Sequence, residues 1–251
     1  MLTVNFFWCG PNFQFLEFIV LKSHLKVGHE VIIWLHGKKP LTKYWEDIEK
    51  YVVVRNADEI FNTNEFISKG GNFRTAADLW RFNLLYKLGG LYCDTDAFAL
   101  NKFPNDEWIV CSGERIPNLL SIGVLKAPSK HPIFLECISN TNKNWGNVHI
   151  FSNSYYKYFG NLNPTHKNEL FYPYNWKSFL NLFNNNEIPK DAFSIHFYSN
   201  AIEAYINRGK DNLLYRCIPL LNKIVSIKID KNWCEKNPST LLGKLWSWLL
   251  N

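Results

Sequence analysis

The chain has 251 residues, of which 47% are apolar and 20% charged, a composition typical of folded globular proteins and not of disordered ones. That length suffices for one large α/β domain and is short for two. The formal net charge of +6 favours anionic partners. The sequence has no long run of Lys and Arg, so we expect no nucleic-acid partner. Six scattered cysteines without a C-x-x-C pair predict reduced thiols and a cytoplasmic protein.

The first hundred residues alternate between strand and helix patterns. We predict strands at residues 2–8, 30–35, 51–55 and 91–93, and helices at residues 15–25, 43–50 and 73–88. A strand, a helix and a second strand in close succession indicate a βαβ unit and a parallel sheet. The predicted fold class is therefore α/β, with a Rossmann-like, mixed but mostly parallel sheet flanked by helices.

The rest of the chain has weaker patterns. Strands are predicted at residues 108–112, 120–125 and 195–197, and helices at residues 131–139 and 239–250. Residues 140–190 are rich in Asn, Tyr, Phe and Pro and have poor periodicity, which predicts irregular structure around a site. No linker or repeat divides the chain, so we predict a single domain over residues 1–251.

The predicted helix at residues 73–88 combines an apolar circumference with one charged stripe. Arg74, Asp78 and Arg81 follow one another at spacings of four and three residues, and so lie on one side of the helix. Buried charge is costly unless it is paired or used. The stripe therefore indicates either a structural ion pair between Asp78 and Arg81 or a ligand site.

A pair of carboxylates follows this helix. Gly89-Gly90 allows a sharp turn, and the short strand after it runs into Asp94-Thr95-Asp96. Residues i and i+2 of an extended segment point the same way, so Asp94 and Asp96 can share one ligand. In open α/β sheets ligands bind at the carboxyl ends of strands. Two hard oxygen donors there favour Mg²⁺ or Mn²⁺ bridging phosphates.

The segment 77–96 reads ADLWRFNLLYKLGGLYCDTD. It resembles the DXD region of glycosyltransferase family 32 and its relatives, which include capsular-polysaccharide sugar transferases and initiating α-mannosyltransferases, with the pattern S-D-x-x-R-x-x-x-L-x-x-x-G-G-x-Y-x-D-x-D. The one departure is Ala77 in place of Ser. Weaker similarity extends to residues 4–10, 28–34, 121–132 and 194–199. The last of these resembles a late His-x-x-x-Ser metal motif, with Asn200 where the family usually has Trp.

The resemblance implies a GT-A fold and sugar transfer from a nucleotide sugar, such as a UDP- or GDP-sugar, with retention of anomeric configuration. It implies a nucleotide-sugar-binding half at about residues 1–110 and an acceptor half at about residues 111–251. Asp78 and Arg81 would hold the donor sugar and its diphosphate, and Asp94 would contact the ribose or the sugar. Trp8 would lie near the base, although a tryptophan at the end of a buried strand is also an ordinary core residue.

The metal follows from the same resemblance. Asp96 would bind Mn²⁺ or Mg²⁺ directly, with Asp94 beside it, and His196 would be a further ligand or a diphosphate contact. A lone histidine is more often a structural hydrogen-bonding residue, so that alternative stays open. The acceptor would be a glycan or a lipid-linked saccharide, as in polysaccharide biosynthesis. The C-terminal helix, with two tryptophans, would either contact a membrane peripherally or pack on the domain.

Two other functions compete with sugar transfer. A haloacid-dehalogenase-type phosphohydrolase also carries D-x-D after a strand, usually the first, and needs Thr or Val at the position that Phe98 occupies here. A catalytically inactive glycan- or nucleotide-binding module on the same fold is the second alternative.

Overall fold

The computed structural model describes residues 1–112, 119–141, 147–174, 179–199 and 229–251, with the side chain of residue 179 left out. Its strands are β1 (Thr3–Cys9), β2 (Glu30–His36), β3 (Val53–Asn56), β4 (Gly90–Cys93), β5 (Ala97–Ala99), β6 (Val124–Ala127) and β7 (Ser194–His196). Its α-helices are α1 (Phe15–Lys26), α2 (Lys43–Ile48), α3 (Thr63–Ser68), α4 (Phe73–Lys87), α5 (Pro132–Asn140), α6 (Asn147–Phe159), α7 (Asn168–Phe171), α8 (Lys231–Lys236) and α9 (Leu241–Leu250).

The main sheet has five strands in the order β3-β2-β1-β4-β6. The first four run parallel, and β6 pairs antiparallel with β4. A separate antiparallel pair, β5 and β7, joins the chain just after β4 to a segment about a hundred residues later. The prediction of an α/β fold with a mixed, mostly parallel sheet flanked by helices is confirmed.

Helices cover both faces of this sheet because side chains alternate along each strand. In β1, Val4 and Phe6 belong to one buried core, which also contains residues of α1 and α9. Phe7, the residue after Phe6, belongs to the second core, which contains residues of α4, α5 and α6. The central strands of the sheet are therefore buried on both sides, as their near-continuous apolar sequences predict, while the edge strand β3 is exposed.

Local signals fix the ends of α4, the helix that carries the charged stripe. The side chain of Asn72 accepts a hydrogen bond from the backbone N–H of Thr75 and so caps the first turn. Gly89, at φ +67°, ends the helix, and a Cβ there would clash with the backbone nitrogen of Ser129. The tight turn is thus available only to glycine, and it delivers the chain directly into β4.

Two predictions about the second half were wrong. Within residues 140–190, predicted as irregular, α6 forms a 13-residue helix because Phe151 and Tyr155, one turn apart, are buried in the second core. Residues 108–112 form no strand; Ile109 and Ser112 make only isolated bridges to Lys126 and Leu120. The strand predicted at residues 120–125 begins later, at β6. Asn200 and Cys217 lie outside the described residues.

The C-terminal helix α9 packs on the domain. Its apolar residues Leu241, Leu242, Leu245, Trp246 and Leu249 are buried. Trp246 lies against Phe15 of α1, with ring centroids 5.4 Å apart. In the described ranges, no helix is both long and apolar enough to cross a bilayer.

Candidate active site

Asp94 and Asp96 follow β4 at the carboxyl edge of the main sheet. The backbone N–H of Asp94 donates to Gly123 O at 2.7 Å, just before β6. The backbone of Asp96 accepts from Phe197 N at 2.7 Å, and its Oδ2 accepts from Ser199 N at 2.9 Å. The two carboxylates are therefore held by two segments that lie about 75 residues apart in the sequence.

Arg81 connects the α4 stripe to this pair. One guanidinium nitrogen lies 3.1 Å from Asp78 Oδ1 and 3.0 Å from Asp94 Oδ1, and the other terminal nitrogen donates to the backbone oxygen of Ile122. The predicted Asp78–Arg81 ion pair exists, but it is one part of a larger network. Because Arg81 is only 5% exposed, its charge acts on these two carboxylates in a dry environment.

Strand β7 places the imidazole of His196 beside the two carboxylates. His196 Nε2 lies 3.1 Å from Asp96 Oδ1 and 3.6 Å from Asp94 Oδ2. Its Nδ1 accepts a hydrogen bond from the backbone N–H of Tyr198 at 3.3 Å, which assigns the ring proton to Nε2. The structure thus brings five predicted site residues together at one place: Asp78, Arg81, Asp94, Asp96 and His196.

The electrostatics of the three carboxyl groups differ. Burial raises the pKa of Asp78 and of Asp96 above the usual range, and the neighbouring Asp94 charge adds to both rises. Burial acts on Asp94 in the same direction, but Arg81, His196 and Tyr92 outweigh it and hold the pKa of Asp94 below its usual value. Asp94 is therefore the carboxylate that stays ionised most firmly.

The donor set suits a divalent cation. Asp94, Asp96 and His196 each offer one ligand atom, and these atoms lie within 4.8 Å of one another. An octahedral ion with bonds of ~2.1 Å places adjacent ligands ~3 Å apart. The distances from His196 Nε2 to the two carboxylates, 3.1 and 3.6 Å, are close to that separation. Imidazole with two carboxylates fits Mn²⁺ as well as Mg²⁺. Binding of the cation through His196 Nε2 requires the ring proton to move to Nδ1, which breaks the hydrogen bond from the backbone N–H of Tyr198.

Sequence reasoning missed Gly123 and Tyr172, which shape this site. A Cβ on Gly123 would lie 2.8 Å from Asp94 Oδ2, 3.2 Å from His196 Nε2 and 3.2 Å from the Tyr172 hydroxyl. That hydroxyl accepts from Ser121 Oγ at 2.7 Å and from Val124 N at 2.8 Å. Residue 123 lies directly against the atoms that would bind the cation, so the position has no room for a side chain.

The sequence analysis predicted no role in the site for Tyr92 or Asn147. The Tyr92 hydroxyl donates to Asp94 Oδ1 at 2.8 Å, and the Arg81 guanidinium lies 4.4 Å from the centre of its ring. The Asn147 side chain, 2% exposed at the start of α6, donates to Asp78 Oδ2 at 3.1 Å. Tyr92 occupies the Tyr position of the G-G-x-Y-x-D-x-D pattern, which marks it, whereas an asparagine in a polar stretch has no local signal.

Trp8 lies at the same edge of the sheet but does not join the cluster. In the β1–β4 register Asn5 is opposite Tyr92, and continuing that register places Trp8 roughly opposite Thr95. Its indole N–H donates to Gly10 O at 3.0 Å, and its ring meets Phe13 edge-on at 5.4 Å. It is partly buried against the first core, a position compatible with either of the two roles considered for it.

The position and chemistry of Phe98 argue against the phosphohydrolase alternative. It is fully buried in β5, against Phe197 and Trp248. It offers no hydroxyl to the carboxylate pair, and the D-x-D follows the fourth strand in chain order and not the first.

A match to a protein family points to the same chemistry. Residues 20–112 match the family described as "Glycosyltransferase sugar-binding region containing DXD motif", a segment that spans less than half of the chain and includes α4 and the D-x-D. No curated protein matches in sequence. Among solved structures, the chain is similar to "PaToxG Glycosyltransferase", with 12% identity, 98% of this chain and 86% of that chain covered, and a TM-score of 0.49. The family match confirms the predicted enzyme class, a transferase with a DXD region of the glycosyltransferase type.

Proposed function

We propose that the chain transfers a sugar from a UDP- or GDP-sugar to a hydroxyl of a glycan or lipid-linked saccharide, as a family 32 glycosyltransferase in polysaccharide biosynthesis. One observation carries the proposal. Asp78 and Arg81 of α4, Asp94 and Asp96 after β4, and His196 of β7 meet at the carboxyl edge of the sheet. Such an edge is where α/β proteins bind nucleotide ligands.

The donor sugar would be held by Asp78 and Asn147. Asp78 uses Oδ1 for Arg81 and Oδ2 for Asn147, and each carboxylate oxygen can accept a second hydrogen bond. The Asn147 side-chain oxygen is buried and has no partner among the described residues. Sugar hydroxyls both donate and accept, so a hydroxyl between these two side chains would satisfy that oxygen.

Arg81 would act as a positioning residue. Its terminal nitrogens already serve Asp78, Asp94 and the Ile122 carbonyl, so it fixes the direction of both carboxylates. These contacts use three of its five N–H groups, and its buried Nε has no partner among the described residues. We assign the diphosphate to the cation site and the base to the vicinity of Trp8.

Asp94, Asp96 and His196 would hold Mn²⁺ or Mg²⁺, which supplies Lewis-acid stabilisation to a diphosphate leaving group. Retention of configuration by front-side attack is the favoured course, because the carboxylates of this site are all committed to Arg81, Asn147, His196 or a cation. A covalent glycosyl-enzyme trapped by mass spectrometry would contradict front-side attack. The acceptor would approach from about residues 111–251, with residues 1–251 acting as one domain.

The test is donor hydrolysis. The purified protein is incubated with a panel of UDP- and GDP-sugars, with Mn²⁺ or with EDTA, and released nucleotide is measured. We expect metal-dependent release from one donor, loss of release in Asp96→Asn, and full release in Asp106→Asn. Asp106 is a matched control because it is a largely exposed carboxylate paired with His166.

Other results would identify the alternatives. Tight donor binding by calorimetry without release from any donor would support the inactive binding module. Release of inorganic phosphate from phosphorylated substrates, without sugar transfer, would support a phosphohydrolase. Equal nucleotide release with Mn²⁺ and with EDTA would refute the cation site.

A further inference from the structure

A second concave site lies on the opposite side of the main sheet from α4, α5 and α6. It is a cavity of about 450 Å³ between α1, α2 and α9. Its floor is apolar and consists of Phe18, Leu25, Ile48 and Leu249. Ile48 and Leu249 are buried, and Leu25 is partly exposed. The floor offers no polar group of its own, so it suits a hydrocarbon chain.

The rim of this cavity is basic. Lys22 and Lys26 are one helical turn apart on α1, and Lys50, two residues after α2, also lines the cavity. Lys50 has an ion-pair partner, Asp47, at 3.9 Å, with both side chains more than half exposed. Within the described part of the chain, neither Lys22 nor Lys26 has a carboxylate oxygen within 4.0 Å. The rim thus carries a net positive charge that the surrounding side chains do not neutralise.

Both unpaired lysines rest on aromatic rings of the cavity wall and of α9. Lys22 Nζ lies 5.5 Å from the Phe18 ring centre and 5.9 Å from that of Trp246. Lys26 Nζ lies 5.0 Å from the Trp248 ring centre. A lysine stem can cover apolar surface in this way while its ammonium group stays in water. An anion at the mouth would therefore find two positioned ammonium groups above a hydrocarbon-sized cavity.

We propose that this cavity binds an anionic membrane lipid, with the phosphate headgroup between Lys22 and Lys26 and the first part of one acyl chain on the apolar floor. The apolar face of α9 is buried in the core, so α9 forms one wall of the lipid site and does not itself insert into a bilayer. The inference is independent of sugar transfer. If both hold, lipid binding would place the enzyme at the surface that carries a lipid-linked acceptor.

The experiment is flotation of the full chain with phosphatidylcholine vesicles, with and without 30% phosphatidylglycerol. We expect binding only to the anionic vesicles. A juxtamembrane lysine contributes about fivefold in affinity, so Lys22→Gln with Lys26→Gln should weaken binding about 25-fold. The matched control is Lys130→Gln with Lys157→Gln, which removes the same charge beside the α5 and α6 face and should leave binding close to wild type.

Tryptophan fluorescence separates lipid in the cavity from adsorption by charge. Trp246 and Trp248 adjoin the two lysines, so phosphatidylglycerol brominated on its acyl chains should quench their emission, and Trp246→Phe with Trp248→Phe should remove most of that quenching. No binding to anionic vesicles, equal loss in both lysine pairs, or binding without quenching would each overturn the proposal. Donor hydrolysis measured on the same preparations shows whether the proposed function fails separately.

Discussion

Two buried histidines next to the candidate site make the stability of the fold depend on pH. His24 in α1 and His29 before β2 are 0% and 3% exposed, and their Nδ1 atoms lie 3.0 Å apart. His29 Nε2 accepts from Phe103 N at 3.1 Å, and His24 Nε2 lies 2.9 Å from Ala97 O. The proton arrangement that satisfies all three contacts has both rings neutral, with His29 Nδ1–H donating to His24 and His24 Nε2–H donating to Ala97 O.

The sign of the effect follows from burial. Burial lowers the pKa of His24 to about 3 and that of His29 to about 4, from 6.5 in the unfolded chain. The folded state therefore excludes protons that the unfolded state binds, so this stability is complete above pH 6.5 and is lost as the pH falls toward 3. Each imidazole ring can change the free energy of unfolding by up to ~1.4 kcal/mol per pH unit. Together they remove about 4 kcal/mol by pH 5, a large fraction of the ~5–15 kcal/mol of a typical fold.

The variant His24→Gln isolates one half of this effect. Glutamine offers an amide donor toward Ala97 O and an amide oxygen toward His29, and it does not titrate. In urea denaturation between pH 7.5 and 5, we expect the slope of the unfolding free energy against pH to fall by about 1.4 kcal/mol per unit below pH 6. His149→Gln, at an exposed position of α6, should keep the wild-type slope. A wild-type slope in His24→Gln would refute the buried neutral pair.

Further predictions concern the candidate site. Gly123→Ala places a methyl group 2.8 Å from Asp94 Oδ2. We expect kcat/KM for the donor to fall at least ~10-fold, which corresponds to the loss of one charge-assisted contact. Unchanged kinetics would contradict the proposed position of Asp94. Asn147→Ala should raise the donor KM about 10-fold by removing a sugar contact, measured by initial rates, whereas a purely structural Asn147 would lower only the Tm. Tyr172→Phe leaves Val124 N without its acceptor and should lower the unfolding free energy by ~1–3 kcal/mol in urea. Mn²⁺ should raise the Tm of the wild type and not that of Asp96→Asn, and equal shifts in both would place the cation elsewhere.

Local patterns predicted the site residues that are close together in the chain, and the family resemblance added the distant His196. The helical period of α4, the double glycine and the alternation of a short strand all act over a few residues, so the positions of Asp78, Arg81, Asp94 and Asp96 followed from local rules. Asn147 reaches Asp78 across 69 positions of sequence, and nothing in its neighbourhood marks that contact. Its helix, α6, was missed for a related reason, since its stability comes from the tertiary burial of Phe151 and Tyr155 and not from helix propensity.

The charges of the site give a physical reason for the proposed dependence on a cation. Three carboxylates, Asp78, Asp94 and Asp96, face one fixed positive charge, Arg81, so with a neutral His196 the net charge is −2. Burial and mutual repulsion already raise the pKa of Asp78 and Asp96, which shows that the site holds its negative charge at a cost. A nucleoside diphosphate brings further negative charge to the same edge of the sheet, and the charge of Arg81 is already shared between Asp78 and Asp94. A divalent ion among Asp94, Asp96 and His196 would remove the excess charge, so chelation should abolish donor binding as well as turnover.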